Sequence, residues 1–184
     1  GTPKSDLVLF DSKGKEIVWI SYKDLKKKKG GGYESPEKSF QQWGGLTSGT
    51  MQAFPQVQEF INKLKMRFPQ GMKSGDNVAM KIKGRGSELI KKKAVYGDDY
   101  APGAPCGRNN VSFVVQGRLD IKSVSNGYTI ISTNAGHHQN GEALRSSMEP
   151  IFYARYTGEQ RGFVPHCRAT IYPYKGANPK EWFN

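Results

Sequence analysis

The chain has 184 residues, with 28 Lys and Arg against 16 Asp and Glu, and so a formal net charge of +12. Only 36% of it is hydrophobic. No apolar run approaches the ~18 residues of a membrane-crossing helix, and the opening residues lack the apolar stretch of a signal peptide. Nine Tyr, nine Phe and three Trp exclude a wholly disordered chain, and the length suits one core with at most a small extension.

Leu7–Phe10 is a short apolar run, followed by the polar turn Asp11-Ser12-Lys13-Gly14-Lys15. Residues Ile17–Tyr22 form a second run, rich in β-branched and aromatic residues, and the two runs read as a β-hairpin. The second strand is apolar on both faces (Ile17 and Trp19; Val18, Ile20 and Tyr22), so it belongs inside a sheet, covered on both sides. Lys26–Lys38 reads as a loop. Pro55–Phe68 then carries a helical stripe of Val57, Ile61, Leu64 and Phe68, with Pro55 suited to the first turn.

Asn77–Ile82 reads as a strand or a helix start, and Val95–Asn110 as a Pro/Gly-rich connection. The remainder is strand-like: Val111–Gln116, Leu119–Val124, Tyr128–Ser132, Ile151–Tyr156 and Cys167–Tyr174. A loop is expected at Asn134–Leu144, where glycines flank His137-His138. The expected fold class is α+β or mixed α/β: a central β-sheet with flanking helices and a strand-rich C-terminal half. The expected division is a core with hairpin and helix over 1–94 and the strand-rich half over 95–184, within one globular unit.

Eight of the 12 net positive charges fall in residues 1–100. They gather at Lys26, Lys27, Lys28 and Lys29, and again at Lys81, Lys83, Arg85, Lys91, Lys92 and Lys93. Such clusters neutralise phosphates and release their counterions. For Lys26–Lys29, which runs into three glycines, a solvated loop that aids solubility is an equal reading. No amphipathic helix with large apolar residues accompanies the lysines, so nucleic acid is a better partner than a membrane. Arg155, Arg161 and Arg168 are further phosphate candidates, because a guanidinium makes forked contacts.

The hairpin carries the candidate chemistry. Folding about the turn brings Asp6 opposite the stretch Trp19–Ser21, and Ser21 and Lys23, two apart on a strand, share a face. A carboxylate, a hydroxyl and an ammonium thus meet at one end of the sheet. An Asp holds Mg²⁺ well, and a nearby Lys orients water or stabilises phosphate charge, which are the roles of metal-assisted phosphodiester hydrolysis.

Lys4-Ser5-Asp6, Ile20-Ser21-Tyr22-Lys23 and Phe40-Gln41-Gln42-Trp43-Gly44-Gly45 together resemble the PD-(D/E)XK, or restriction endonuclease-like, nuclease superfamily, which includes many restriction and phage nucleases. The resemblance covers roughly residues 3–68. It implies a restriction endonuclease-like core and a DNA endonuclease using Mg²⁺ or Mn²⁺. Asp6 matches the first acidic, metal-holding position and Lys23 the lysine. Ser21 stands where the family normally has Asp or Glu, which leaves the second carboxylate to Glu37, Glu59, Glu16 or Asp11, while Gln41 or Gln42 would help place the metal water. The helix with a Glu that often precedes the family's first strand is expected to be absent or replaced by a later element. The catalytic set so implied is Asp6, Ser21, Lys23 and Gln42, acting on DNA in the cytoplasm (the host cell's for a phage-encoded enzyme), with a homodimer as the common form for cutting both strands.

The competing class is a non-catalytic nucleic-acid-binding protein of the same fold, or a phage structural or assembly protein. Other chemistry is weaker. His137 and His138 are adjacent and would diverge on a strand, and His166 beside Cys167 lacks a third ligand. No nucleophile elbow, Walker or dinucleotide pattern is present. Cys106 and Cys167 are expected as free thiols.

Overall fold

The computed structural model describes residues 3–23, 29–30, 44–46, 48–116, 119–132, 135–138, 149–156, 158, 167–172 and 179–184. The class is mixed α+β, with strands in three sheets and few helices. The chain divides into two compact units, one of residues 1–40 and 95–146, the other of 41–94 and 147–184.

In the first unit, β1 (Leu7–Phe10) and β2 (Glu16–Lys23) form the expected hairpin, in antiparallel register from Leu7 opposite Ile20 to Phe10 opposite Glu16. The turn is closed by a side chain: Asp11 Oδ1 accepts from the amides of Lys13 and Lys15, both at 2.9 Å. Gly14 takes φ +80°, where a side chain is disfavoured. β2 also pairs in parallel with β5 (Phe113–Gln116), and β5 pairs with β8 (Ala135–His138), giving the order β1-β2-β5-β8. Hence β2 lies inside the sheet, as its two apolar faces require, with Ile20 fully buried. A separate two-stranded ribbon joins β6 (Leu119–Val124) to β7 (Gly127–Ser132).

The loop expected at 134–144 is corrected at 135–138: His137 and His138 sit on β8, in register with Val114 and Phe113. Pairing with a strand distant in sequence overrides the local glycine signal, and Gly136 is accommodated opposite Val115.

The second unit holds β3 (Gly44–Gly45), α1 (Gly49–Gln52), α2 (Pro55–Arg67), β4 (Asn77–Lys81), most of α3 (Ser87–Tyr96), β9 (Glu149–Arg155), β10 (Cys167–Tyr172) and β11 (Glu181–Phe183). The sheet order is β11-β4-β9-β10-β3, with β11 parallel to β4 and the other pairs antiparallel. α2 starts at Pro55, as a proline in the first turn permits. Its stripe is buried at Val57, Ile61, Leu64 and Phe68, joined by Phe60. Phe60 fixes the helix on the sheet: its ring stacks on Phe152 of β9 at 5.5 Å and tilts against Phe183 of β11 at 5.9 Å. A bifurcated hydrogen bond from Arg67 Nε to both Glu181 carboxylate oxygens, at 3.0 and 3.1 Å, ties the end of α2 to the same edge strand.

α3 has no counterpart among the expected elements. Its Lys91-Lys92-Lys93 run reads as a charge cluster, yet Ile90 and Ala94, one turn apart, are both buried. Successive helical residues are ~100° apart, so the three lysines fan round α3 instead of forming one face. Cys106 and Cys167 are both free thiols. Among the described residues no helix is long and apolar enough to cross a membrane.

Two substitutions test this account. Phe60→Ala removes the ring that meets two strands and is expected to cost about 3–5 kcal/mol, lowering Tm by roughly 10 °C in a calorimetric scan. At Gly97, φ is +126° and a Cβ would lie 2.1 Å from the Asn109 carbonyl oxygen. Gly97→Ala is therefore expected to destabilise by at least about 2 kcal/mol in urea unfolding, whereas Gly103→Ala, with open space around its Cβ, is expected to cost less.

Candidate active site

The hairpin register decides where Asp6 stands. Leu7 faces Ile20, so Asp6 faces Ser21. The Asp6 amide donates to the Ile20 carbonyl at 2.8 Å, continuing the ladder one residue beyond β1. Asp6 Oδ2 then accepts the Tyr22 amide at 2.7 Å and the Ser21 hydroxyl at 3.4 Å. Ser21 is completely buried, whereas Asp6 is exposed. One carboxylate oxygen is thus fixed against β2, and the described residues make no hydrogen bond to Oδ1.

The segment before β1 is held on its other side by the turn at 107–110. Ser5 donates its amide to the Arg108 carbonyl at 2.9 Å, and Lys4 donates its amide to Asn109 Oδ1 at 3.2 Å. That turn is itself anchored by Asn110, which is buried and donates from Nδ2 to the Pro105 carbonyl at 2.9 Å. Beside Asp6, the Ser5 hydroxyl is buried with no hydrogen-bond partner. A buried polar atom left so is unusual and marks a place for water or a ligand atom.

Lys23 closes β2 in register with Gln116, two residues beyond Ser21; only its backbone is described. Gln42 and Gln41 lie outside the described residues, as do Glu37, Lys26, Lys27 and Lys28. Three other acids named for the second carboxylate have other partners. Asp11 closes the hairpin turn. Glu59, in the second unit, pairs with Lys63 at 2.8 Å. Glu16 accepts from Trp19 Nε1 and from Arg108 Nε, each at 2.8 Å. The Arg108 hydrogen bond, then that of Trp19, holds the Glu16 carboxyl below the usual range, and Glu16 in turn raises the Arg108 guanidinium.

Among the described residues no three His, Cys, Asp or Glu side chains gather as metal ligands. Among the described residues Asp6 is the carboxylate hydrogen-bonded at the end of β2. That donor set still fits Mg²⁺, which keeps several waters and is commonly held by one or two carboxylates with substrate phosphate.

Of the basic residues read from the sequence, Lys29 is exposed, and Lys81, Lys83 and Arg85 are exposed in the second unit. Lys91 pairs with Glu88 at 2.8 Å, and Lys92 and Lys93 are half-buried on α3. Arg155 is half-buried with its Nε unpartnered. Arg161 and His166 lie outside the described residues, and the backbone alone describes Arg168, His137 and His138. Sequence reasoning missed Ser5 and the Asn109–Asn110 turn. Neither the hydroxyl nor the turn carries a local signal, since their link to Asp6 spans about a hundred residues.

The chain is similar to a type II restriction enzyme, CviJI, of Paramecium bursaria Chlorella virus IL3A, with 31% identity over 159 residues. The match takes in 83% of this chain and 40% of that enzyme, so the chain spans well under half of the relative's length. No protein-family model matches the chain, and no solved structure matches it.

The Glu16–Arg108 pair makes a prediction with a definite sign. Because the folded Glu16 carboxyl is held low, its stabilising contribution is present above the unfolded-state value and disappears as pH falls through the lowered folded value. In a carboxyl-carbon NMR titration, Arg108→Gln is expected to move the Glu16 midpoint up toward that of an ordinary glutamate and to leave the acid limb of stability flatter. An unchanged midpoint would refute the assignment.

Proposed function

We propose that this chain is the catalytic part of a metal-dependent DNA endonuclease of the PD-(D/E)XK type. The observation that carries the reading is the 31% identity to a type II restriction enzyme along 83% of the chain. The hairpin supports it, since Asp6 is placed opposite Ser21 with its carboxylate fixed by the Tyr22 amide. The basic balance of the chain suits a phosphate-rich partner.

In this reading Asp6 holds Mg²⁺ or Mn²⁺ through Oδ1, with Oδ2 kept in place by β2. When bound, the ion supplies positive charge to a phosphate oxygen and lowers the pKa of a coordinated water. The Ser21 hydroxyl keeps the Asp6 carboxylate oriented. Lys23 positions the attacking water or the scissile phosphate, and Gln42 assists in placing that water. In hydrolysis the water oxygen bonds to phosphorus, one P–O ester bond breaks, and the water proton leaves to solvent or to the departing oxygen. The exposed Lys29, Lys81, Lys83 and Arg85, with the lysines at 26–28 and 91–93, contact the DNA backbone.

One observation favours a second reading, a nucleic-acid-binding protein without cleavage. Ser21 stands where a metal-binding acid is usual in the resembling family, and its buried hydroxyl is engaged with Asp6.

Supercoiled plasmid incubated with the protein and Mg²⁺ or Mn²⁺ separates the two. The expected result is nicked and linear product, abolished by chelation. Asp6→Ala and Lys23→Ala are each expected to slow cleavage by at least roughly 100-fold, and Ser21→Ala by less. Folded protein that shifts the plasmid in a gel but never cuts it would overturn the endonuclease reading in favour of binding.

A further inference from the structure

The second unit carries a groove of about 270 Å³ at the C-terminal ends of the parallel strands β4 and β11. Its lining includes Gln56, Met80, Lys81, Lys83, Trp182 and Phe183. The edge strand β11 sends its two aromatic residues to opposite faces. Phe183, opposite Met80, is fixed by the Phe60 ring. Trp182, opposite Ala79, remains 37% exposed.

Lys81 ends β4, and Lys83 and Arg85 follow on a braced loop. Gln56 Nε2 donates to the Lys83 carbonyl at 3.2 Å and to the Arg85 carbonyl at 2.6 Å. Gly84 and Gly86 take φ of +87° and +85°, which lets the loop turn tightly into α3. Among the described residues neither Lys83 nor Arg85 pairs with a carboxylate. Glu59, the acidic side chain on the groove wall, pairs with Lys63 at 2.8 Å, and Lys63 also donates to the Asn184 oxygen.

An exposed indole on a groove lined by Lys81 and Lys83, with Arg85 two residues further along the loop, matches the two halves of a nucleotide, a base to stack and a phosphate to neutralise. A base inside a duplex keeps its faces against its neighbours and offers an indole only an edge. We infer that this groove binds a nucleotide of single-stranded nucleic acid, with the base stacked on Trp182 and the flanking phosphates on Lys81, Lys83 and Arg85. The inference rests on the nucleic-acid partner of the proposed function and not on cleavage, because every residue it uses lies in the second unit, apart from Asp6 and Ser21.

The test is fluorescence anisotropy with the full chain in chelator, so that no cleavage occurs, using a labelled oligothymidylate of about 12 nucleotides and a duplex of the same length. Trp182→Ala is expected to weaken single-strand binding roughly ten-fold and duplex binding much less. Trp182→Phe, which keeps an aromatic face and guards against misfolding, should restore most of the affinity. Lys83→Ala with Arg85→Ala should reduce the single-strand salt slope by about 1.4, at about 0.7 per phosphate. The inference is overturned if Trp182→Ala binds the oligothymidylate as the wild type does, if Trp182→Phe is as weak as Trp182→Ala, or if both substrates weaken equally. Plasmid cleavage is read separately: its absence with these effects intact removes only the endonuclease reading, and its presence without them removes only the groove.

Discussion

The hydrogen bond from the Tyr22 amide to Asp6 Oδ2 sets the geometry of the candidate site. Beyond Leu7 the ladder continues with the Asp6 amide bonded to Ile20, and a side-chain oxygen then takes the place of the next backbone acceptor. On its other edge, β2 is paired along Ile20–Lys23 by β5, so its end cannot shift to suit the carboxylate. Register therefore determines whether a site exists. A slip of one residue would turn every side chain of β1 to the other face. The Asp11 carboxylate prevents that from the turn, and the Ser5 and Lys4 contacts to the 108–109 segment prevent it from the opposite end.

The same constraint explains why the site needs distant parts of the chain. Tyr96, stacked on Tyr100, gives its carbonyl to the Val111 amide, and Ser112 bonds to the Trp19 carbonyl. The turn that steadies Ser5 is thus set on the sheet from both sides. Gly97 belongs to this arrangement because its neighbour across the turn, the Asn109 carbonyl, occupies the place of a side chain. Burial raises the Tyr96 phenol well above its ordinary value, in keeping with a neutral ring used for packing.

What the sequence made legible was local. The apolar runs Leu7–Phe10 and Ile17–Tyr22, with a polar turn between, gave a hairpin. The 3–4 spacing of Val57, Ile61, Leu64 and Phe68 gave α2. Parallel pairing of β2 with β5 was not legible, because residues 23 and 113 are joined by no periodic signal. Nor was α3, where a charge run masked the Ile90–Ala94 spacing. β8 was hidden by glycines that a neighbouring strand tolerates. At the site, the hairpin alone brought Asp6 opposite the stretch Trp19–Ser21; the register shift between Leu9 and Phe10, which bears on the choice within that stretch, was not legible, and the buried Ser5 hydroxyl depends on a turn about a hundred residues away.

Ser21 is the residue where the hairpin departs most from a two-carboxylate metal site, and electrostatics says what the departure does. A second acid at a fully buried position, within hydrogen-bond range of Asp6, would put two like charges together in a poorly solvated place. Without a cation, one of them would have to take a proton or the strand end would open. A serine avoids that conflict. Its hydroxyl donates to Oδ2 at 3.4 Å and meets the carboxylate with a neutral partner. In general, an Mg²⁺ ion held by one carboxylate leaves most of its coordination to water and to the phosphate of a substrate.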